Sequence, residues 1–287
     1  MKLNKDTNIL IVGLGVIGGG YAKALFDKGY KVSCITKNQS DIDYAIENEM
    51  ISFGTTEVDS ELIEKSELII FALYPGVFID WVKTYKHLFR AGTVITDVSG
   101  VKSSVVYTVQ ELLIDTGVEF ISHHPMAGRE RSGVEYSTPS VFKGANFIIT
   151  PTKSNTDSAI ELISALGEIL GFKSISLLSP EKHDSMIAFL SQLTHAIAVA
   201  LMNANESEGL EKYTGDSFRD LTRIAKINDL MWSELFELNK EALLLEMDTF
   251  IDKFKEIRRL LAEGDTDGMR REMRAAAKRR ELFDKPI

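Results

Sequence analysis

Residues 9–25 read ILIVGLGVIGGGYAKAL, and the spacing of their glycines decides how the first half of the chain is read. A β-branched apolar run ends at Gly13. Gly15 and Gly18 follow in G-x-G-x-x-G spacing, and a helical pattern begins at once. Each glycine has a task at such a strand–turn–helix junction. The first makes a tight turn, the second admits a pyrophosphate to the backbone, and the third lets helix and strand pack closely. The backbone of Gly13, Leu14, Gly15, Val16, Ile17 and Gly18 would then face phosphates with the unpaired N–H groups of a helix N-terminus. The spacing alone fits an ordinary glycine-rich turn as well. The strand before it, the helix after it and a second apolar run, KVSCIT at residues 31–36, favour a dinucleotide site.

The turn after that second run discriminates between dinucleotides. An Asp or Glu here would hold a ribose 2′-hydroxyl. The chain instead has Thr36, Lys37, Asn38, Gln39 and Ser40, with no acid before Asp41. Thr36, Lys37 and Ser40 offer a cation and two hydroxyls, which suit a 2′-phosphate. NADP is the expected cofactor, with NAD the alternative if Lys37 points to solvent.

Through residue 178 the pattern alternates. The apolar runs NILIVG, KVSCIT, ELIIFAL, TVITDV, VEFIS, ANFIIT and SISLL read as strands, and residues 18–28, 41–50, 77–88 and 103–115 read as amphipathic helices. Continuous apolar strands separated by helices imply a sheet covered on both faces, which predicts a doubly wound, Rossmann-type α/β domain over residues 1–178. The pattern then changes. Ser179-Pro180-Glu181 combines an N-cap, an N1 proline and an acidic first turn. From there to Asp284 only helical periodicity is found, so residues 179–287 are expected to form an all-α domain for substrate binding and dimerisation. The long apolar-striped run at residues 230–264 is more helix than a lone small domain needs, and predicts a homodimer through the helical part.

Composition narrows the function. Apolar residues make up 44% and charged residues 26% of the 287, an ordinary globular balance. The net charge of −9 argues against a nucleic-acid partner. The one basic cluster, MRREMRAAAKRR, has acidic flanks and reads as a solvated helix face. A single cysteine, Cys34, excludes an internal disulfide framework and fits a reducing compartment. No signal-peptide pattern opens the chain, and no uninterrupted apolar run approaches the roughly 20 residues of a membrane span, so a soluble cytoplasmic protein is expected. No Cys/His spacing suggests a metal.

Chemistry is suggested by HHPMAGRERSG at residues 123–133. Two of the five histidines stand together after an apolar run, followed by small residues and mixed charges. Such a loop buries little and suggests a site, although two solvated histidines in a strand-to-loop turn would look the same.

Four segments, GLGVIGG, DVSGVKSSV, HPMAGRERSGVEYS and SFRDLTRIAKINDLMW, together resemble the prephenate/arogenate dehydrogenase family of tyrosine biosynthesis, from about residue 8 to beyond Trp232. The resemblance implies oxidation of prephenate at its ring C4–OH carbon, coupled to loss of the ring carboxylate as carbon dioxide, giving 4-hydroxyphenylpyruvate. It implies His124 as the base for the hydroxyl proton, a task suited to a group titrating near neutrality. His123 has no counterpart role and is expected to be structural. Arg223 matches the arginine that grips a substrate carboxylate, with Asp220 three residues before it to orient it. Glu130 is expected near the substrate region or coupled to its cations, with a surface charge equally open. His195 matches a histidine near the substrate side chain, with Gln192 on the same helix face and His183 peripheral. A histidine at position 195 can donate to the keto group of prephenate, and no acid stands on its face to hold an ammonium, so prephenate is expected over arogenate.

One departure concerns a serine. The family pattern Asp-x-x-Ser-Val-Lys is here Asp97-Val98-Ser99-Gly100-Val101-Lys102, with glycine at the serine position. Ser99 is the expected catalytic substitute, with Ser103 the alternative. The rival activities are arogenate dehydrogenase and, more remotely, a β-hydroxyacid dehydrogenase or ketopantoate-type reductase, which would use a lysine in the helical domain. A non-catalytic dinucleotide sensor would keep the glycine loop without needing His124, Arg223 and His195 to converge.

Overall fold

Buried apolar strands build the core in the computed structural model, which describes residues 2–128 and 133–284. The strands are β1 (Asn8–Val12), β2 (Lys31–Ile35), β3 (Phe53–Thr55), β4 (Leu68–Phe71), β5 (Val94–Asp97) and β6 (Glu119–Phe120). They form one parallel six-stranded sheet in the order β3-β2-β1-β4-β5-β6. Helices α1 (Val16–Phe26), α2 (Gln39–Glu47), α3 (Ser60–Lys65), α4 (Pro75–Tyr85) and α5 (Ser103–Leu112) connect them. Alternate side chains enter two separate cores: Ile9, Ile11, Leu68 and Ile70 one, and Leu10, Val12, Ile69 and Phe71 the other. Both faces of the sheet are therefore buried, which is why Ile9–Val12 of β1 and all of β4 are apolar without alternation. Strand order reverses between β1 and β4, and that switch opens a crevice beyond the carboxyl ends of the strands.

The run VEFIS does not form one strand. β6 ends at Phe120, and β7 (Ser122–Pro125) begins a second sheet with β8 (Asn146–Thr150) and β9 (Ser174–Leu177). β7 pairs antiparallel with β8, with His124 opposite Ile148, while β9 runs parallel to β8. His123 and His124 thus lie within a strand rather than in a loop after one. Helix α6 (Asp157–Leu170) buries Leu162, Ile163 and Leu166 in the first of the two cores.

Ser179 caps the next helix as its sequence predicts, its Oγ accepting from Lys182 N with Pro180 in the first turn. α7 (Pro180–Ile187) continues through a π-helical turn (Ala188–Leu193) into α8 (Thr194–Asn203). This rod is long and apolar enough to cross a membrane by length and composition alone. However, His183, Asp184 and Gln192 on it are buried and hydrogen-bonded within the protein, while Phe189, Leu190 and Met202 are exposed. α9 (Asp216–Thr222) and α10 (Asp229–Leu238) follow.

By compactness the chain divides into two units after Asn239, and α7 to α10 belong to the first of them. Asp184 ties α7 to the α/β part by accepting from the backbone N–H groups of Lys102 and Ser103 at the start of α5. The run at 230–264 is likewise broken at Asn239, whose buried amide donates to Asp184 O and Gln192 Oε1. The second unit, Lys240–Ile287, holds α11 (Lys240–Glu263) and α12 (Thr266–Arg280). They turn at Gly264, which has φ +70°, and Asp265 caps α12 by accepting from Gly268 N.

Candidate active site

The glycine turn leaves open space at the start of α1. Gly13 has φ +96°, and a Cβ there would meet Ala72 O at 2.5 Å. A Cβ on Gly18 would collide with the carbonyl of Gly13. A Cβ on Gly15, by contrast, would meet nothing within 4 Å, and no side chain caps α1 at that residue. Open space thus faces an uncapped helix N-terminus, the arrangement a dinucleotide pyrophosphate requires. Leu14 is buried in the core, so only its backbone can serve a ligand, while Val16 and Ile17 are half-buried. At the end of β2, Thr36 is half-buried and Lys37 and Ser40 are exposed. Asn38 and Gln39 are bonded to Asp41 and Asp43.

The pleat of β7 separates the two histidines, since successive strand residues face opposite ways. The His123 ring is fully buried, stacked on Phe147, with Nε2 at 2.9 Å from the Tyr21 hydroxyl and Nδ1 at 2.7 Å from that of Thr96. Both its nitrogens are engaged, so its role is architectural. Burial, and then the charge of Lys102, hold it neutral well below the ordinary histidine pKa.

His124 is half-buried, and its Nδ1 lies 2.9 Å from Nε2 of His183. His183 Nδ1 lies 2.8 Å from Asp184 Oδ1. Burial lowers the pKa of His124 well below its ordinary value, and the neighbouring His183, Lys102 and His123 act in the same direction. Burial also lowers that of His183, against the hydrogen bond to Asp184. For Asp184 burial acts upward, but the hydrogen bonds from His183 and Ser103 outweigh it, and the carboxyl stays below its usual range. His183, expected to be peripheral, is thus in direct contact with His124. Fifty-nine residues separate the two, and only the docking of α7 brings them together.

Beneath β7 lies a buried ion pair. Lys102 Nζ donates to Asp97 Oδ2 at 3.1 Å, to the His123 carbonyl at 2.6 Å and to Ser99 Oγ at 3.4 Å. Asp97 also accepts from Ser99 and from the Ser122 hydroxyl. Burial lowers the pKa of Lys102, opposed by the charge and hydrogen bond of Asp97. Ser99, the expected substitute for the missing serine, is turned into this network, its hydroxyl between Asp97 and the Val101 carbonyl at 2.9 Å. That is a correction, because a hydroxyl committed there does not serve His124. Ser103 contributes its backbone N–H to Asp184. A Cβ on Gly100 would lie 3.9 Å from His124 Cε1 and 3.7 Å from Leu235 of α10, so both residues border this glycine.

α10 also carries Trp232, whose ring stacks on His195 with centroids 3.7 Å apart and planes at 28°. His195 sits two residues past the π turn, a distortion found often at functional sites. Its Nδ1 lies 2.9 Å from the Ser191 carbonyl, which can only accept, so Nδ1 carries the proton and Nε2 of the neutral ring is an acceptor. Burial lowers its pKa, against that hydrogen bond. The expectation that His195 donates to a keto group is therefore corrected: donation from Nε2 would need the protonated ring. Gln192 is occupied by the scaffold, donating to Leu235 O and accepting from Asn239.

α9 ends at Thr222, and Arg223 opens a 3₁₀ turn packed against α8. Arg219 is engaged by Asp216 at 2.6 Å and by Thr214. Arg223 and Asp220 are exposed. Glu130 lies outside the described residues. Among the described residues no group of three or more His, Cys, Asp or Glu side chains is placed to hold a metal.

Sequence profiles match in two adjoining pieces: the prephenate dehydrogenase nucleotide-binding domain over residues 21–176 and the prephenate dehydrogenase dimerization domain over residues 179–275. The chain belongs to the prephenate dehydrogenase family. The prephenate dehydrogenase of Bacillus subtilis is 28% identical over 96% of this chain and 76% of its own length. The cyclohexadienyl dehydrogenase of Zymomonas mobilis is also 28% identical, over 91% of this chain and 90% of its own. A crystal structure of the A. aeolicus prephenate dehydrogenase, in complex with hydroxyphenyl propionate and NAD+, superposes with a TM-score of 0.89 at 29% identity, covering 99% of this chain and 100% of that one. As a prephenate dehydrogenase family member, the chain is a nicotinamide-dependent oxidoreductase.

Proposed function

We propose that the chain converts prephenate to 4-hydroxyphenylpyruvate with His124 as general base. The observation that supports this role is the setting of His124: half-buried beside Gly100, held neutral by burial, and backed by His183. A nicotinamide dinucleotide bound at the glycine turn would supply the hydride acceptor. His124 takes the ring hydroxyl proton as the C4–H bond breaks. The ring carboxylate leaves as carbon dioxide, its bonding electrons remain in the ring, and aromaticity drives the reaction. Arg223, beside α8, would hold a substrate carboxylate, with Asp220 and Glu130 adjusting the charge around it. His195 would face the substrate side chain.

The residues at the end of β2 support NADP over NAD. Thr36, Lys37 and Ser40 carry no negative charge, and one charge-assisted hydrogen bond of about 1.5–3 kcal/mol corresponds to roughly a ten- to hundredfold preference. Steady-state kinetics with prephenate and with arogenate, each with NAD and NADP, test both assignments. Prephenate with NADP is expected to give the highest kcat/KM. Thr36→Asp should then raise the KM for NADP by charge repulsion and lower that for NAD. An arogenate preference of about tenfold would instead assign the neutral acceptor Nε2 of His195 to an ammonium group.

Arg223→Gln is expected to weaken prephenate binding by about 1.5–3 kcal/mol, the value of a charge-assisted contact. It should appear as a raised KM with a smaller change in kcat. An unchanged KM would make Arg223 a surface residue only.

Assembly as a homodimer is supported by α11, where Phe250, Phe254, Ile257 and Leu261 are all exposed and recur at four- and three-residue steps along one face. A reducing, cytoplasmic setting suits a chain whose one cysteine is a buried free thiol, pushed up to about 12 by burial.

A further inference from the structure

We infer that His183 and Asp184 are positioning residues that fix the tautomer of His124, so that its Nε2 is the nitrogen free to take the substrate proton. The inference rests on His124 being the base, and it follows from counting protons along three side chains. Both oxygens of Asp184 face donors: Oδ1 accepts from Lys102 N at 2.8 Å and Oδ2 from Ser103 N at 2.7 Å. A carboxyl held by two backbone N–H groups at the start of a helix is ionised and can only accept. His183 Nδ1, 2.8 Å from Asp184 Oδ1, must therefore carry the proton. In the neutral ring this leaves His183 Nε2 with a lone pair. That lone pair faces His124 Nδ1 at 2.9 Å, so Nδ1 of His124 must be the donor of the pair. The remaining nitrogen of His124, Nε2, is then unprotonated.

The geometry leaves His183 little freedom. Its side chain is fully buried in the first turns of α7, behind the Ser179 cap and Pro180. Ser99 is engaged with Asp97, and Gly100 carries no side chain beside His124. When His124 takes a proton at Nε2, Nδ1–H stays on His183 and the new positive charge lies two hydrogen bonds from the Asp184 carboxylate. Asp184 also joins α5 to α7, so the backbone that shapes the loop at residues 97–102 and the chain that orients the base share one anchor.

Two substitutions separate orientation from packing. His183→Gln keeps an acceptor for His124 Nδ1–H and a donor for Asp184, whereas His183→Leu keeps only volume. The leucine variant is expected to lose about 10²–10³-fold in kcat with KM for prephenate within about threefold, the pattern of a wrong tautomer. The glutamine variant should recover kcat to within about tenfold of wild type. Ring ¹⁵N NMR of the wild-type protein should show His124 with Nδ1 protonated and Nε2 unprotonated, and the leucine variant should shift toward the Nε2–H form. A wild-type spectrum with the proton on Nε2, a leucine variant with unaltered kcat, or folded glutamine and leucine variants equally impaired would each overturn the inference. If the leucine variant does not fold, the wild-type spectrum alone decides. Failure of wild type to oxidise prephenate would overturn the function instead, because the NMR measurement does not depend on turnover.

Discussion

His124→Asn is expected to lower kcat for prephenate by about 10²–10⁴-fold, the usual contribution of a positioned general base, with KM changed only a few-fold. Asparagine keeps a polar group opposite His183 but has no basic nitrogen. The same variant has a pH signature. Burial, reinforced by His183, Lys102 and His123, places the pKa of His124 below the ordinary histidine range. The neutral, basic form then persists into mildly acid solution. In wild type, kcat/KM should stay level as pH falls through the ordinary histidine range and drop only below it, where Nε2 becomes protonated. The residual activity of the asparagine variant should lack that limb. Activity within a few-fold of wild type, or an acid limb that survives the substitution, would remove His124 from the chemistry.

The second large effect is on stability. Lys102 is 0% and Asp97 1% exposed, and they form an ion pair beneath β7. Removing one partner of a buried pair leaves an uncompensated charge and typically costs about 3–5 kcal/mol. Lys102→Met should approach that figure, because it also leaves the His123 carbonyl without its donor. Adding Asp97→Asn to Lys102→Met should recover part of the loss, since the double variant buries no lone charge. Urea denaturation reads this directly: the midpoint should fall sharply in the single variant and less in the double one, with similar slopes. A single variant of wild-type stability would mean that water or another donor replaces the ammonium.

The glycine turn was legible in the sequence because everything it requires is local. Gly13, Gly15 and Gly18 sit within six residues and act through backbone geometry. The Ser179–Pro180 helix start was legible for the same reason. The short elements β3 and α3 were not, since Phe53–Thr55 and Ser60–Lys65 are too brief to show a period. VEFIS reads as one strand in the sequence because an apolar run does not record which sheet its backbone joins. The register of β7 against β8 makes that choice.

By itself the sequence determined the α/β-then-helical order, the glycine-rich strand–turn–helix junction and the family, through patterns carried by neighbouring residues. The segment HPMAGRERSG also marked His124 before any geometry was known. Only the tertiary structure decided which partners act on that histidine. Ser99, close in sequence to the absent serine, turned inward because Asp97 and Lys102 claim its hydroxyl. Gln192 was drawn into the scaffold by Leu235 and Asn239. His183 came to His124 from a different helix, and its adjacent Asp184 anchored that helix on the N-terminus of α5. Hydrogen-bond partnership in a buried site is a matter of a few ångströms between elements distant in the chain, and spacing along a sequence carries no record of it until the helices pack.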